Sequence, residues 1–196
     1  MAAMSAAGSG VTTAATPIDN PDAEYLEATT KIDFSGLPDG SSVDVISDDT
    51  VFVAFSQTLS KTGPVPDGWA TWSSPPFSED PNPFVLLASA GTLTMEISRP
   101  VSIFGFELEP SPFGEFEFTA DFYRGDSLIE SVSRTVDGFA GARLFAREDG
   151  SIDRVVITAP VDFAIAQIRY QLAPIDPALA VLFIAVLVII LALILL

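Results

Sequence analysis

The side chains of this chain that could do chemistry are carboxylates and indoles, because its 196 residues include neither Cys nor His. Thiolate nucleophiles, imidazole bases and the Ser-His-Asp and Cys-His constellations are excluded on that ground. Zinc, haem and iron–sulfur centres lose their usual ligands with them. What remains is 26 Asp+Glu against 9 Lys+Arg, a formal charge of −17. Four acids stand out by spacing: Glu107 and Glu109 flank Leu108, and Glu115 and Glu117 flank Phe116. A hairpin of Ile103–Glu109 with Glu115–Tyr123 across Pro110–Gly114 would set all four on one outward face. Like charges opposed on paired strands repel. A hard cation such as Ca²⁺, which takes six to eight oxygen ligands, would relieve them. The plain alternative is a solvated acidic face, softened by screening over about 8–10 Å.

A second acidic group, Asp33, Asp39, Asp44, Asp48 and Asp49, has no EF-hand or glycine-aspartate repeat spacing. Glycoside hydrolysis needs two carboxyls held about 5–9 Å apart in a cleft. Nothing in the spacing singles out one such pair, so the chain reads as non-catalytic. The excess of negative charge also argues against nucleic-acid partners, whose phosphates it would repel.

Both tryptophans, Trp69 and Trp72, fall in Ser60–Pro83 beside Pro64, Pro66, Pro75, Pro76, Pro81 and Pro83. Proline cannot donate to a ladder, so this stretch is a surface loop rather than a central strand. Three roles compete for the indoles. They plug one open end of the fold with their large apolar area, they stack on a sugar, or they anchor a protein contact.

The elements that must position these groups read as β. Glu115–Tyr123 alternates with Phe116, Phe118, Ala120 and Phe122 on one face, and Phe104, Phe106 and Leu108 alternate in the same way. Further short runs are Lys31–Phe34, Val43–Ile46, Val51–Phe55, Phe84–Ala88, Leu93–Ile97, Leu128–Ser133, Ile152–Thr158 and Phe163–Tyr170. Turn signals such as Pro38-Asp39-Gly40, Arg124-Gly125-Asp126, Asp137-Gly138 and Asp149-Gly150 separate them. About ten such strands predict an all-β, antiparallel sandwich or jelly roll over residues 31–173. No helical period is legible before residue 177.

The ends differ. Residues 1–30 carry no Lys or Arg and no apolar run, so they do not read as a signal peptide. They predict a flexible arm. Ala178–Leu196 is 19 apolar residues, about 28 Å as a helix, which matches a bilayer's hydrocarbon core. Asp176 and Pro177 supply an N-cap and an N1 proline for a hydrophobic helix within 174–196. Ala178, Ala185 and Ala192 recur every seven residues and line a seam of small side chains on which such helices associate. The plain alternative is a lone lipid anchor.

Three segments resemble a class of bacterial exported β-sandwich modules found in surface proteins that carry a PEP-CTERM sorting signal. They are Asp33-Phe34-Ser35-Gly36-Leu37-Pro38-Asp39-Gly40, Phe104-Gly105-Phe106-Glu107-Leu108-Glu109-Pro110 and Asp162-Phe163-Ala164-Ile165-Ala166-Gln167-Ile168. The resemblance covers roughly residues 31–172 and implies an exported module with a structural or carbohydrate-associated role. Two departures stand out: relatives close with paired acids where Ala166-Gln167 stand, and the tail lacks Pro-Glu-Pro and a terminal basic cluster. The combined expectation is a non-catalytic structural subunit, self-associating, with its tail among lipids or neighbouring tails, at a membrane or in an extracellular surface assembly. The alternative is a membrane-tethered module that binds carbohydrate or Ca²⁺.

Overall fold

Alternation of apolar and polar residues produces ten antiparallel strands in the computed structural model, which describes residues 17–174. In chain order they are β1 (Pro17–Ile18), β2 (Thr30–Lys31), β3 (Ser42–Ser47), β4 (Phe52–Thr62) and β5 (Val85–Ala88). They continue as β6 (Gly91–Pro110), β7 (Glu115–Arg124), β8 (Ser127–Asp137), β9 (Arg143–Ala159) and β10 (Phe163–Leu172). A single helix among the described residues, α1 (Ala23–Ala28), precedes β2. The expected antiparallel β-sandwich is the architecture found.

Long bent strands fold this sheet into two layers. The first half of β6 pairs Glu96 with Arg154 and Ile97 with Val53, next to β9 and β4. Its second half pairs Phe106 with Phe145 and Glu107 with Ala166, next to β9 and β10. Between the halves the register slips at Glu96–Val101, where Pro100 withholds a ladder donor and the strand turns the corner. β9 bends opposite it. Asp149-Gly150, read as a turn between strands, lies inside β9, whose first half from Arg143 the alternation did not reveal. One layer holds β8, β7, the second half of β9, the first half of β6 and the start of β4. The other holds β1, the first half of β9, the second half of β6, β10, β5 and β2, and the end of β4 reaches it to pair with β5, with β3 along β4.

Phe104, Phe106 and Leu108 from one layer and Phe118, Ala120 and Phe122 from the other share one fully buried core. Rings of Phe118 and Phe163 meet edge to face at 5.7 Å across it. The inward assignment of the phenylalanines was legible. The hairpin was not: β6 pairs with β4, β9 and β10, whereas β7 pairs with β8 and β9.

Two other expectations need correction. Residues 17–30 are tied down rather than a free arm: β1 pairs with β9 through Pro17–Arg147 and Ile18–Ala146. A helix also exists before residue 177. Asp22 caps α1 by accepting from the Tyr25 N–H at 2.9 Å, and Tyr25 is buried against Ile103, Leu144 and Ala146. Six residues are too few to show a period, so only the cap could have signalled it. Gly105 makes room for that tyrosine, since a Cβ there would sit 2.4 Å from the Tyr25 hydroxyl. Ala178, Ala185, Ala192 and the predicted tail helix lie outside the described residues. Among the described residues no helix is long and apolar enough to cross a membrane.

Phe118→Ala should destabilise the sandwich by about 3–5 kcal/mol through lost transfer energy and the cavity left beside Phe163. Chemical denaturation reads this directly, and an unchanged midpoint would contradict the two-layer core.

Candidate functional site

Because Phe104, Phe106 and Leu108 point into the core, Glu107 and Glu109 point to the opposite face of β6. That face is covered. The proline-rich segment from Gly63 to Phe84, which contains no strand, lies across it, and both carboxylates have zero exposure. The β4 strand runs on to Thr62, so the loop begins three residues later than the prolines suggested.

Each carboxylate holds one tryptophan. Glu107 accepts from Trp72 Nε1 at 2.7 Å and Ser78 Oγ at 2.6 Å on one oxygen, and from the Glu79 N–H at 2.6 Å on the other. Glu109 accepts from Trp69 Nε1 at 2.8 Å, Thr71 Oγ1 at 3.1 Å and the Gly141 N–H at 3.2 Å. Neither has an ion-pair partner among the described residues. The cations nearby, Arg169 and Lys31, are held by Glu79, at 2.7 and 3.0 Å. Burial pushes the Glu107 carboxyl up to about 7, against the pull of its donors. Burial raises Glu109 too, opposed by Trp69, Gly141 and Thr71. Glu79 goes the other way: burial would raise it, but Arg169 and Lys31 hold it below the ordinary carboxylate range.

The four acids singled out by spacing are therefore not one site. Glu115 and Glu117 are exposed on β7, which pairs with β8 and β9 and not with β6, while Glu107 and Glu109 spend their oxygens on the loop. Among the described residues no three acidic side chains converge on a metal position. The aspartates near the first strands are dispersed as well. Asp39 pairs with Lys61, Asp44 accepts from Thr58, Asp48 accepts from Tyr170, and Asp33 accepts from the Ser35 N–H. Nothing in the alternation could reveal that Glu107 and Glu109 are buried, because the cover is a loop distant in sequence.

The two indoles have separate fates. Trp72 is buried with Val65, Val85, Ala142, Ala164 and Ala166, and serves as packing. It covers an outer sheet face rather than plugging an end. Trp69 is half-buried and lines two hollows at once. The larger, about 380 Å³, is formed with Ser60, Ser89, Ser111, Asp162 and Leu87 among others. The smaller, about 200 Å³, adds Thr71, Pro110 and Phe113. Both are lined by Trp69 and Ser111, so the two hollows adjoin at the indole, and the pair is termed the Trp69 groove. Phe113, which lines the smaller hollow, meets Phe139 edge to face at 5.8 Å, and the two are 68 % and 64 % exposed. The side chain of Asp162 accepts from the Ala90 N–H at 2.8 Å on one oxygen, leaving the other for a ligand. Such a surface can stack an apolar ring face and exchange hydrogen bonds with hydroxyls.

The fold and groove define a β-sandwich with a covered outer face and a concave aromatic-polar surface. No protein-family model matches the chain, and no curated protein matches it. Among solved structures it is similar to two variants of CBM29-2, a family 29 carbohydrate-binding module. Each is 14% identical with a TM-score of 0.33, over 76% of this chain and 98% or 96% of the other. A likeness this distant assigns neither a family nor a ligand.

The Glu107 shift fixes a pH dependence. Its carboxyl ionises at about 7 in the fold against 4.5 ordinarily. The folded state therefore binds more protons between those values, and the contribution is complete below about pH 4.5 and lost as pH rises through 7. At about 1.4 kcal/mol per unit this is worth about 3 kcal/mol. The melting temperature should fall from pH 5 to pH 8, and Glu107→Gln should flatten that fall while lowering the midpoint, since its NH₂ faces donors. A midpoint that rises across this window would contradict the assignment.

Proposed function

We propose that the chain is a non-catalytic module that binds neutral carbohydrate in the Trp69 groove and is tethered by its apolar C-terminal segment. The observation that carries this reading is the groove itself. Its indole is partly exposed yet fixed in orientation by a hydrogen bond to a buried carboxylate. An aromatic ring held this way offers a ligand stacking area with little loss of side-chain entropy. Serine hydroxyls and the Asp162 carboxylate around it suit the alternating donors and acceptors of a sugar. Sulfated and uronic-acid polymers are disfavoured by Asp162 and by the −17 charge of the chain.

The tether is proposed from the apolar run Ala178–Leu196 alone. Phe163, at the start of β10, lines the groove, and Leu172, at its end, leads to the apolar segment. Ten residues of strand span about 30 Å, so Leu172 lies at the end of β10 away from the groove. A module anchored through residues 178–196, alone or bundled with neighbouring tails along Ala178, Ala185 and Ala192, would present its groove away from the anchor. That placement fits an exported surface module.

Trp69→Ala should abolish retention of the full-length chain on insoluble neutral polysaccharide, a loss of at least about 10-fold in affinity for a buried aromatic contact. Phe113→Ser should weaken retention less and leave the melting temperature unchanged. Equal retention of wild type and Trp69→Ala across a panel of neutral polysaccharides would dispose of the proposal.

A further inference from the structure

A second concave site lies where β10 loses its neighbours. On one side β10 pairs with β6 along its length; on the other, β5 pairs with Phe163–Ile165 and β2 with Arg169–Tyr170. Between these contacts the Ile168 carbonyl still accepts from the Ile32 N–H at 2.9 Å, whereas Ala166 and Gln167 have no strand partner on this side and face a gap. Here β10 also carries one extra residue, since Ala166 to Arg169 spans three steps opposite the two from Glu107 to Gly105. The surplus residue is Gln167, at φ +51°, a conformation that non-glycine residues rarely adopt. Ala164 and Ala166 face the loop and Ile165 and Ile168 face the core, so the bulge sends Gln167 sideways into the gap.

That gap is a cavity of about 350 Å³, walled by Phe34 and Phe84 and rimmed by Asp33, Asp80 and Asn82. Gln167 lines it while only 7% exposed. Its Oε1 accepts from Lys31 Nζ at 3.1 Å. Lysine has no acceptor, so the oxygen must face it and the NH₂ must point away. No acceptor for that NH₂ exists among the described residues, and the atom is not sealed in protein. A largely buried side chain in a rarely adopted backbone conformation thus presents its N–H donors to the cavity, where they can meet a ligand's acceptors.

The remaining groups define the ligand. Asp33 and Asp80 each use one oxygen on a local backbone N–H, at 2.9 and 2.8 Å, and Asn82 donates its amide to the Val65 carbonyl at 2.8 Å. Each keeps an acceptor oxygen. Lys31 is already ion-paired with Glu79, so the pocket has no free positive charge for an anion. An amine or a metal ion would satisfy the carboxylates but oppose the Gln167 donors. A neutral sugar meets both, because each hydroxyl donates and accepts and the ring C–H face suits the phenylalanine walls.

We propose that the Gln167 pocket binds a single neutral sugar residue, as a second saccharide site separate from the Trp69 groove. The ligand class rests on the carbohydrate reading; the location does not. The test is an NMR titration of the full-length chain in detergent micelles with glucose, galactose, mannose and N-acetylglucosamine, and with ethanolamine as the cationic comparison. The Gln167 side-chain amide pair should shift with at least one sugar at about 1–10 mM, the affinity expected of one small polar ligand, and not with ethanolamine. Gln167→Gly accepts the same φ without strain, so it should melt no lower than wild type and bind that sugar at least 10-fold more weakly. Trp69→Ala should leave the response intact. A Gln167 pair unmoved by every sugar, or moved by ethanolamine alone, overturns the proposal even if Gln167→Gly fails to fold. Loss of polysaccharide retention in Trp69→Ala alongside an unmoved Gln167 pair would sink this site and leave the groove standing.

Discussion

Two carboxylates buried without counter-charges govern this structure. Desolvating Glu107 and Glu109 is costly, and the three hydrogen bonds that each receives from the loop and the neighbouring turn offset that cost only in part, so burial still raises both carboxyls. The dependence is mutual. Without the loop the carboxylates would face water, and without the carboxylates the loop would have buried indole and backbone N–H groups with no acceptor. Hydrogen bonding of this type is directional, so the loop is held in one orientation as well as in place. Trp69 owes its fixed pose in the groove to that constraint.

The same face explains why charge is distributed as it is. Glu79 donates its N–H to Glu107 and takes Arg169 and Lys31 on its carboxylate. Lys31 in turn reaches Gln167. One polar network thus runs from under Trp72 to the second cavity, across β6 and β10. Two of the nine basic residues, the partly buried Arg169 and the exposed Lys31, belong to it. Glu107 gains stability from protonation, whereas the lowered Glu79 and Asp48 lose it as pH falls. For Asp48 burial acts to raise, and the hydrogen bonds from Tyr170, Val51 and Thr50 outweigh it. Stability is accordingly greatest between these limits.

Strand content and inward faces were legible because they depend on local alternation: Phe104 and Phe106, and Phe116 through Phe122, needed only their own neighbours to be placed. Pairing was not. Glu107 and Glu115 are close in sequence and read as hairpin partners, but the chain crosses between layers after Pro110, and strand order is a long-range property. The burial of Glu107 and Glu109 was hidden for the same reason, since their cover comes from residues 69–79. A retrospective signal exists in the indoles: a buried tryptophan needs an acceptor for its N–H, and β6 is the strand whose outward residues are all acids or glycine near Pro110. The extra residue at Gln167 left no mark in the pattern, because a bulge breaks the period by one residue and Ala166-Gln167-Ile168 reads equally well without it.

The central claim is that Glu109 holds Trp69 as the working wall of a glycan groove, while Glu107 holds Trp72 as packing. The indole N–H resonances of the two tryptophans test it together. Both protons should exchange slowly with solvent at pH 5, and addition of a retained neutral oligosaccharide should shift the Trp69 signal and leave that of Trp72 in place. Fast exchange of both protons, or a Trp69 signal indifferent to every oligosaccharide that the chain retains, would contradict the account.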